Sequence, residues 1–378
     1  MFTAYSHPSE LCNPCAHRPP DAPTAQALDG DDLLRRLPTD GLDAVAVSAA
    51  LVRWWSSSSL FGTEVDVVSF GTPEGTGGSD AIFLATVKTS NGQSEQTRHV
   101  VLRICAGHRL IYDADFGLQF EVQQALAERN VPPVAAILAV EYSKEWFGRP
   151  FVVMEQVKGY VPPDRPPYTF ESWLRDESPE TQKAIWWNSV EAIAQLHQVD
   201  WKTSSFDCLT AGRTAVGLKP AMQWLRALLD EAPENRFRRT ADGLWRLLSD
   251  EQPEILGGDV ISWGDSRLAN VLVNGTQVAA LLDFEDVSLN QPEADLGSWL
   301  QQDIAFSQGL GLSRLAGFPS HTDTIERFTE MTGRKLGNMA WWMSFSRLRR
   351  YAMRAVTVGV AGRPGVVAVA RNPSDMTT

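Results

Sequence analysis

Cysteine, positive charge and long apolar runs are all scarce in this sequence, and each shortage removes a class of protein. Four cysteines are spread over 378 residues, at positions 12, 15, 105 and 208. Cys12 and Cys15 form a C-x-x-C followed by His17. No second pair of ligands stands at finger-like spacing, and Cys105 and Cys208 fall in segments that read as folded core, so a closed zinc site is not what this tail spells. Lys and Arg total 34 against 46 Asp and Glu, a net charge of −12. A nucleic-acid partner asks for a basic face, and none is written here. The same balance would suit a cationic substrate. No apolar run is long enough to span a bilayer, and the opening MFTAYSHPSELCNPCAHRPP has no apolar core of the signal-peptide kind. A cytoplasmic enzyme without a membrane partner is the expectation.

What remains is ordinary globular composition, 43% hydrophobic and 21% charged, in a chain long enough for two lobes. Residues 1–38 read as a disordered tail punctuated by Pro8, Pro14, Pro19, Pro20 and Pro23. Thr39 and Asp40 can cap a helix carrying Leu42, Val45, Ala49 and Val52. Five β-branched runs follow, Val65–Ser69, Ala81–Val87, His99–Ile104, Ala136–Tyr142 and Pro150–Met154, each bounded by Gly, Asn or Pro. One helix, between Asp115 and Arg129, interrupts them and closes at Asn130. Strands with a single inserted helix predict an α+β fold with an antiparallel N-terminal sheet lobe over 39–155. The rest, 156–360, predicts a larger, mostly helical lobe, before a flexible tail at 361–378. Ser178-Pro179 opens a helix running to about His197, and apolar stripes at Met222–Leu229 and Leu244–Leu248 predict two more.

Between Val260 and Asp286 the helical pattern breaks into VISWGDSRLANVLVNGTQVAALLDFED. Val271–Val273 and Val278–Leu282 read as strands joined by a hairpin turn at Asn274-Gly275. A hairpin returns the chain to the end it left, so Asn270 and Asp283 should face one cleft, with Asp265 on the loop leading in. Two carboxylates and an amide oxygen form a hard-oxygen set suited to Mg²⁺ and poorly suited to zinc.

This stretch resembles the catalytic core of the aminoglycoside phosphotransferase and choline kinase family, a small-molecule branch of the kinase-like fold. The resemblance rests on Trp263-Gly264-Asp265 through Asn270, then Leu282-Asp283-Phe284-Glu285, then Glu293-Ala294-Asp295-Leu296. It implies transfer of the γ-phosphoryl group of ATP to a hydroxyl of a small molecule. Asp265 would orient that hydroxyl and receive its proton, Asn270 and Asp283 would hold Mg²⁺ on the phosphates, and Asp295 would steady the catalytic loop. Trp263 stands where the family has histidine. The resemblance further implies a phosphate-covering turn at Thr76, Gly77, Gly78 and Ser79. It places Arg103 at the position of the nucleotide-binding lysine, with Glu121 as its ion-pair partner. Val152–Gly159, including Glu155 and Val157, would link the lobes and meet the adenine through backbone groups.

Other residues have plainer readings. His197, at an inward position of a long helix, reads as a packed, hydrogen-bonded histidine. The tryptophans read mostly as core, with Trp299 and the Trp341 region placed where the family builds its acceptor pocket. Glu285, Asp286 and Asp303 could meet an amine-bearing acceptor or be solvated charge. A nucleotide-binding pseudokinase is the alternative reading. A protein kinase ranks below it, because the Asp265 stretch carries no H-R-D and is followed by neither a D-F-G nor an A-P-E segment.

Overall fold

Alternating burial sets the first lobe. In the computed structural model, which describes residues 42–58, 64–73, 80–90, 94–105 and 116–361, strands β1 (Glu64–Gly71), β2 (Ala81–Ser90), β3 (Glu95–Ile104), β4 (Ile137–Glu141) and β5 (Phe151–Glu155) form one sheet. Its order is β1-β2-β3-β5-β4, with every neighbouring pair antiparallel. Along β2, Ala81, Phe83, Ala85 and Val87 are buried and the residues between them are half-exposed, the period-2 pattern of a sheet with one face on a core. That face packs on helix α1 (Ala44–Ser58) through Leu51, Trp54 and Trp55. The N-cap expected at Thr39 and Asp40 lies outside the described residues, as do the tails; Asp43 takes a cap's role, its carboxylate accepting from Ala46 N at 3.1 Å.

Helix α2 (Phe116–Ala127) has two jobs. Phe116 and Phe120 cover Val152 and Cys105 of the sheet lobe, while Leu118, Val122, Ala125 and Leu126 belong to the main core of the helical lobe. Asn130 ends the turn after it at φ 56°, the left-handed geometry that asparagine tolerates best after glycine. Past β5 the chain becomes helical: α3 (Pro179–Gln198), α4 (Leu218–Glu231), α5 (Arg236–Asp250), α6 (Pro292–Phe306), α7 (His321–Thr332) and α8 (Met339–Ala361). Ser178 caps α3 by accepting from Thr181 N, with Pro179 in its first turn. Trp186, Val190, Ile193, Leu196 and His197 all point inward from α3, as their spacing predicts. On α5 the expected stripe shifts, since Ala241 and Leu248 are buried but Leu247 is 57% exposed. Leu247 is one residue, or about 100°, round from Leu248 and so leaves the contact face.

Two small ladders, β6–β9 (Val260–Ser262 with Ser288–Asn290) and β7–β8 (Val271–Asn274 with Gln277–Leu281), lie between α5 and α6. The β7–β8 turn falls one residue later than Asn274-Gly275 predicts. Asn274 pairs with Gln277 in the ladder, and only Gly275, at φ 62°, takes positive φ. The connection from the sheet lobe is pinned to this hairpin by reciprocal hydrogen bonds between Tyr160 and Val273, at 2.8 and 2.9 Å. A β-carbon on Gly159 would stand 2.6 Å from Val273 O, so glycine is required for the approach.

Helices α6 and α8 also meet at a glycine. A β-carbon on Gly297 would lie 2.9 Å from the backbone carbon of Trp342. Gly297→Val should force the helices apart and cost about 1–3 kcal/mol, seen as a lower urea midpoint at unchanged slope. An unchanged midpoint would show that the contact yields freely.

Candidate active site

A buried carboxylate organises the loop ahead of Asp265. Asp295, in the first turn of α6, is 1% exposed. It accepts hydrogen bonds from Ser262 Oγ (3.1 Å), Trp263 N (2.7 Å), Gly264 N (2.9 Å) and His197 Nε2 (2.8 Å). An acid at a helix N-terminus is favoured by the helix dipole, and a buried carboxylate persists only when its lone pairs are met. These contacts fix the chain between β6 and Asp265, and His197 is the hydrogen-bonded core histidine its position suggests. Gly264 sits at φ 88°, and a β-carbon there would collide with Asp286 backbone.

Trp263 explains its own departure from histidine. It is fully buried, packs against Phe284 with the rings tilted by 38° and their centroids 6.2 Å apart, and donates from Nε1 to Leu282 O at 2.8 Å. The indole thus ties the loop bearing Asp265 to the residue before Asp283. Closure of the hairpin makes a second tie, Leu282 N to Asn270 O at 2.8 Å. Asn270 in turn donates from Nδ2 to both Asp265 O and Asp265 Oδ2, each at 2.9 Å. Asp265, Asn270 and Asp283 are therefore held together.

The electrostatics of the two carboxylates differ. Burial opposes charge on Asp265. Arg267 (Nε to Oδ2, 2.8 Å), Arg349 and the Asn270 amide outweigh that, and hold its carboxyl below the usual range. Asp283 is raised instead: burial leads, Arg103 pulls down, and the Asp265 charge pushes up. Asp283 also takes the left-handed conformation, φ 60°, strain of the sort that collects at functional sites. Its Oδ1 is buried without a hydrogen-bond donor, the nearest cationic nitrogen being Arg103 Nη2 at 3.6 Å. Among the described residues no group of three or more His, Cys, Asp and Glu could hold a metal. Two acids and an amide do suit Mg²⁺, which takes few protein ligands and fills the rest of its shell with phosphate and water. The orphaned oxygen of Asp283, and Asn270 with its NH₂ already turned to Asp265, fit such an ion.

Arg103 lies where expected, on β3, but its partner does not. It donates to buried Asp80 at 2.6 Å and stands 3.7 Å from Glu285, with its guanidinium over Phe120. Glu121 is instead gripped by Arg213 at 2.8 and 2.9 Å. The expected Arg103–Glu121 pair is thus not formed. Phe120 and not Glu121 is the α2 residue under Arg103, and Asp80, at the edge of β2, is nearer. Glu155 ends β5 with an exposed carboxylate 3.9 Å from Arg98, and Val157 follows, half-buried, in the connection between lobes. Thr76, Gly77, Gly78 and Ser79 lie outside the described residues. Trp299, Trp341 and Trp342 are buried core. Asp303 is an internal node, meeting Tyr168, Arg314 and His321.

Two residues of the site escaped sequence reasoning. Arg267 bridges Asp265 and Asp164, and Arg349 on α8 donates to Gly264 O at 2.6 Å and pairs with Asp286. Arg267 could have been noticed two positions after Asp265. Arg349 had no signal, because its distance in sequence from the loop is 85 residues.

The model of the phosphotransferase enzyme family matches residues 86–322, more than half the chain, and the chain belongs to that family. A crystal structure from Ralstonia eutropha with a provisional aminoglycoside phosphotransferase assignment superposes with a TM-score of 0.55 at 21% identity, over 84% of this chain and 99% of that one. The fold is thus the two-lobed, kinase-like one. Among curated proteins, Acyl-CoA dehydrogenase family member 11 from Homo sapiens is 24% identical over 255 residues, 65% of this chain and 31% of its own length. The Rattus norvegicus protein of the same name is 23% identical over 256 residues, again 31% of its length. The chain therefore spans about a third of these relatives.

Two outcomes follow from the geometry. Asp295→Ala should destabilise by more than about 3 kcal/mol, because it strands several buried donors; a urea titration showing under about 1 kcal/mol would mean that other contacts hold the loop. Burial first, then the Glu121 carboxylate, push the Cys208 thiol up to about 11. Glu121→Gln should therefore speed alkylation of Cys208 by iodoacetamide at mildly alkaline pH, followed by mass spectrometry of its peptide. An unchanged rate would remove Glu121 as a cause.

Proposed function

We propose that this protein transfers the γ-phosphoryl group of ATP to a hydroxyl of a small molecule. The observation that carries the reading is the convergence of Asp265, Asn270 and Asp283, closed by the Leu282–Asn270 hydrogen bond at 2.8 Å. Family membership supports a phosphotransferase acting on a small molecule. ATP as donor and Mg²⁺ as cofactor are inferences from the site.

The nucleotide would lie between the sheet lobe, residues 39–155, and the helical lobe, residues 156–360. Its adenine would face the backbone at Glu155 and Val157, and its phosphates Arg103; Thr76, Gly77, Gly78 and Ser79, expected from the sequence to meet the phosphates, lie outside the described residues. Asn270 and Asp283 would hold Mg²⁺, which neutralises charge on the phosphates. Asp265 does the work on the acceptor. Its carboxylate, held below the usual range by Arg267 and Arg349, is ionised at neutral pH and can accept the acceptor's O–H. That hydroxyl oxygen forms the new bond to the γ-phosphorus as the bond to the β-phosphate oxygen breaks. The hydroxyl proton passes to Asp265. A weakly basic carboxylate serves chiefly to orient, which fits a reaction in which positioning and electrostatics dominate. Glu121 has no part in the nucleotide site on this reading, since Arg213 holds it.

Asp265→Asn should keep ATP binding and lower acceptor-dependent ADP release by about 10²–10⁴-fold. The measurement is ADP release in Mg²⁺ over a panel of alcohol acceptors. Full turnover in the variant would sink the assignment. ATP binding with no release from the wild type, over the whole panel, would favour a pseudokinase.

A further inference from the structure

Beside the catalytic loop lies a cavity of ≈ 120 Å³. It touches Gly264, the residue before Asp265, and Glu285 and Asp286, just after Asp283, so it adjoins both catalytic segments. Its walls are largely apolar, with Leu118 from α2, Trp224 and Leu225 from α4, Val287, and Phe345 from α8.

Most charged groups on the lining have close partners inside the protein. Asp286 pairs with Arg349, whereas Glu285 stands 3.7 Å from an Arg103 that it shares with Asp80 and Asp283. Asp295 is saturated by its four donors. Arg213 is clamped to Glu121 at 2.8 Å. A polycationic acceptor needs carboxylates left over to meet its ammonium groups, because a desolvated charge without a partner is costly. This lining offers at most Glu285, which shares Arg103 with Asp80 and Asp283, despite a net charge of −12 for the chain. An apolar body needs no charged partner there and gains by leaving water.

We propose that the cavity selects an acceptor whose hydroxyl is carried on an apolar, amine-free body. The proposal rests on the phosphotransfer reading only in naming the ligand an acceptor; the binding preference stands on the lining alone.

The test uses the whole protein without nucleotide and measures binding by ligand-observed NMR for butan-1-ol, hexan-1-ol and octan-1-ol. Amino alcohols of matching length, such as 6-aminohexan-1-ol, provide the contrast. Affinity should rise about fourfold per added methylene until the cavity is filled, and the terminal amine should erase that gain. Ala221→Asp, which puts an unmatched carboxylate on the wall, should weaken octan-1-ol binding at least tenfold, with folding checked by thermal melting. Affinity flat with chain length, amino alcohols bound as tightly as alkanols, or unchanged octan-1-ol binding in folded Ala221→Asp would each overturn the proposal. If that variant does not fold, the wild-type series decides. Alkanol binding without ADP release would overturn the reaction proposed above and leave the cavity's preference standing. ADP release driven by amino alcohols, with no alkanol binding, would do the reverse.

Discussion

The Asp295 carboxylate is the point on which the site depends. It stands at the start of α6 and gathers donors from three places: Ser262 at the end of β6, the backbone of Trp263 and Gly264, and His197 at the end of α3. A carboxylate with 1% exposure has no water to fall back on, so these bonds are obligatory and directional. They convert the packing of α3 and α6 into a fixed backbone path one residue before Asp265. Helix packing is accurate to a fraction of an ångström in a close-packed interior. A catalytic carboxylate needs that accuracy and cannot get it from a free loop.

A second layer fixes the Asp265 and Asp283 segments against each other. The Trp263 indole spans from the Asp265 loop to Leu282 O, and the Asn270 side chain spans from the hairpin back to Asp265. Histidine at position 263 could make a comparable single bond with a smaller ring. Tryptophan adds buried area against Phe284 while keeping one N–H to donate. Around this frame the arginines divide their work. Arg267 and Arg349 stabilise the charge on Asp265, whereas Arg103, turned toward Asp80, stays beyond hydrogen-bond distance of Asp283 Oδ1. The site therefore holds one compensated anion, Asp265, and one under-compensated anion, Asp283, suited to a cation.

Net composition does not say where charge is placed. A net charge of −12 suggests affinity for cations, yet near the catalytic loop Asp286, Glu285 and Asp295 each meet an internal arginine or donor. Glu121 failed as a partner for Arg103 for a related reason. Spacing along a helix says which residues share a face, but not which neighbour that face meets; Arg213 arrives from a loop 92 residues away.

Local signals were enough for the sheet-lobe strands, for several helices and for the grouping of Asn270 with Asp283. β-Branched runs bounded by Gly, Asn and Pro located the five strands, the Ser178-Pro179 pair began α3, and the hairpin between Asn270 and Asp283 brought those residues to one side of a cleft. Each of these depends on residues near one another in sequence, where propensity and turn geometry act directly. The Arg103–Asp80 pair, the clamp of Arg349 on Gly264, the apolar lining and the matched charges of the cavity were decided only by the tertiary structure. They join residues tens of positions apart, and their energies depend on burial and distance, quantities a sequence does not contain.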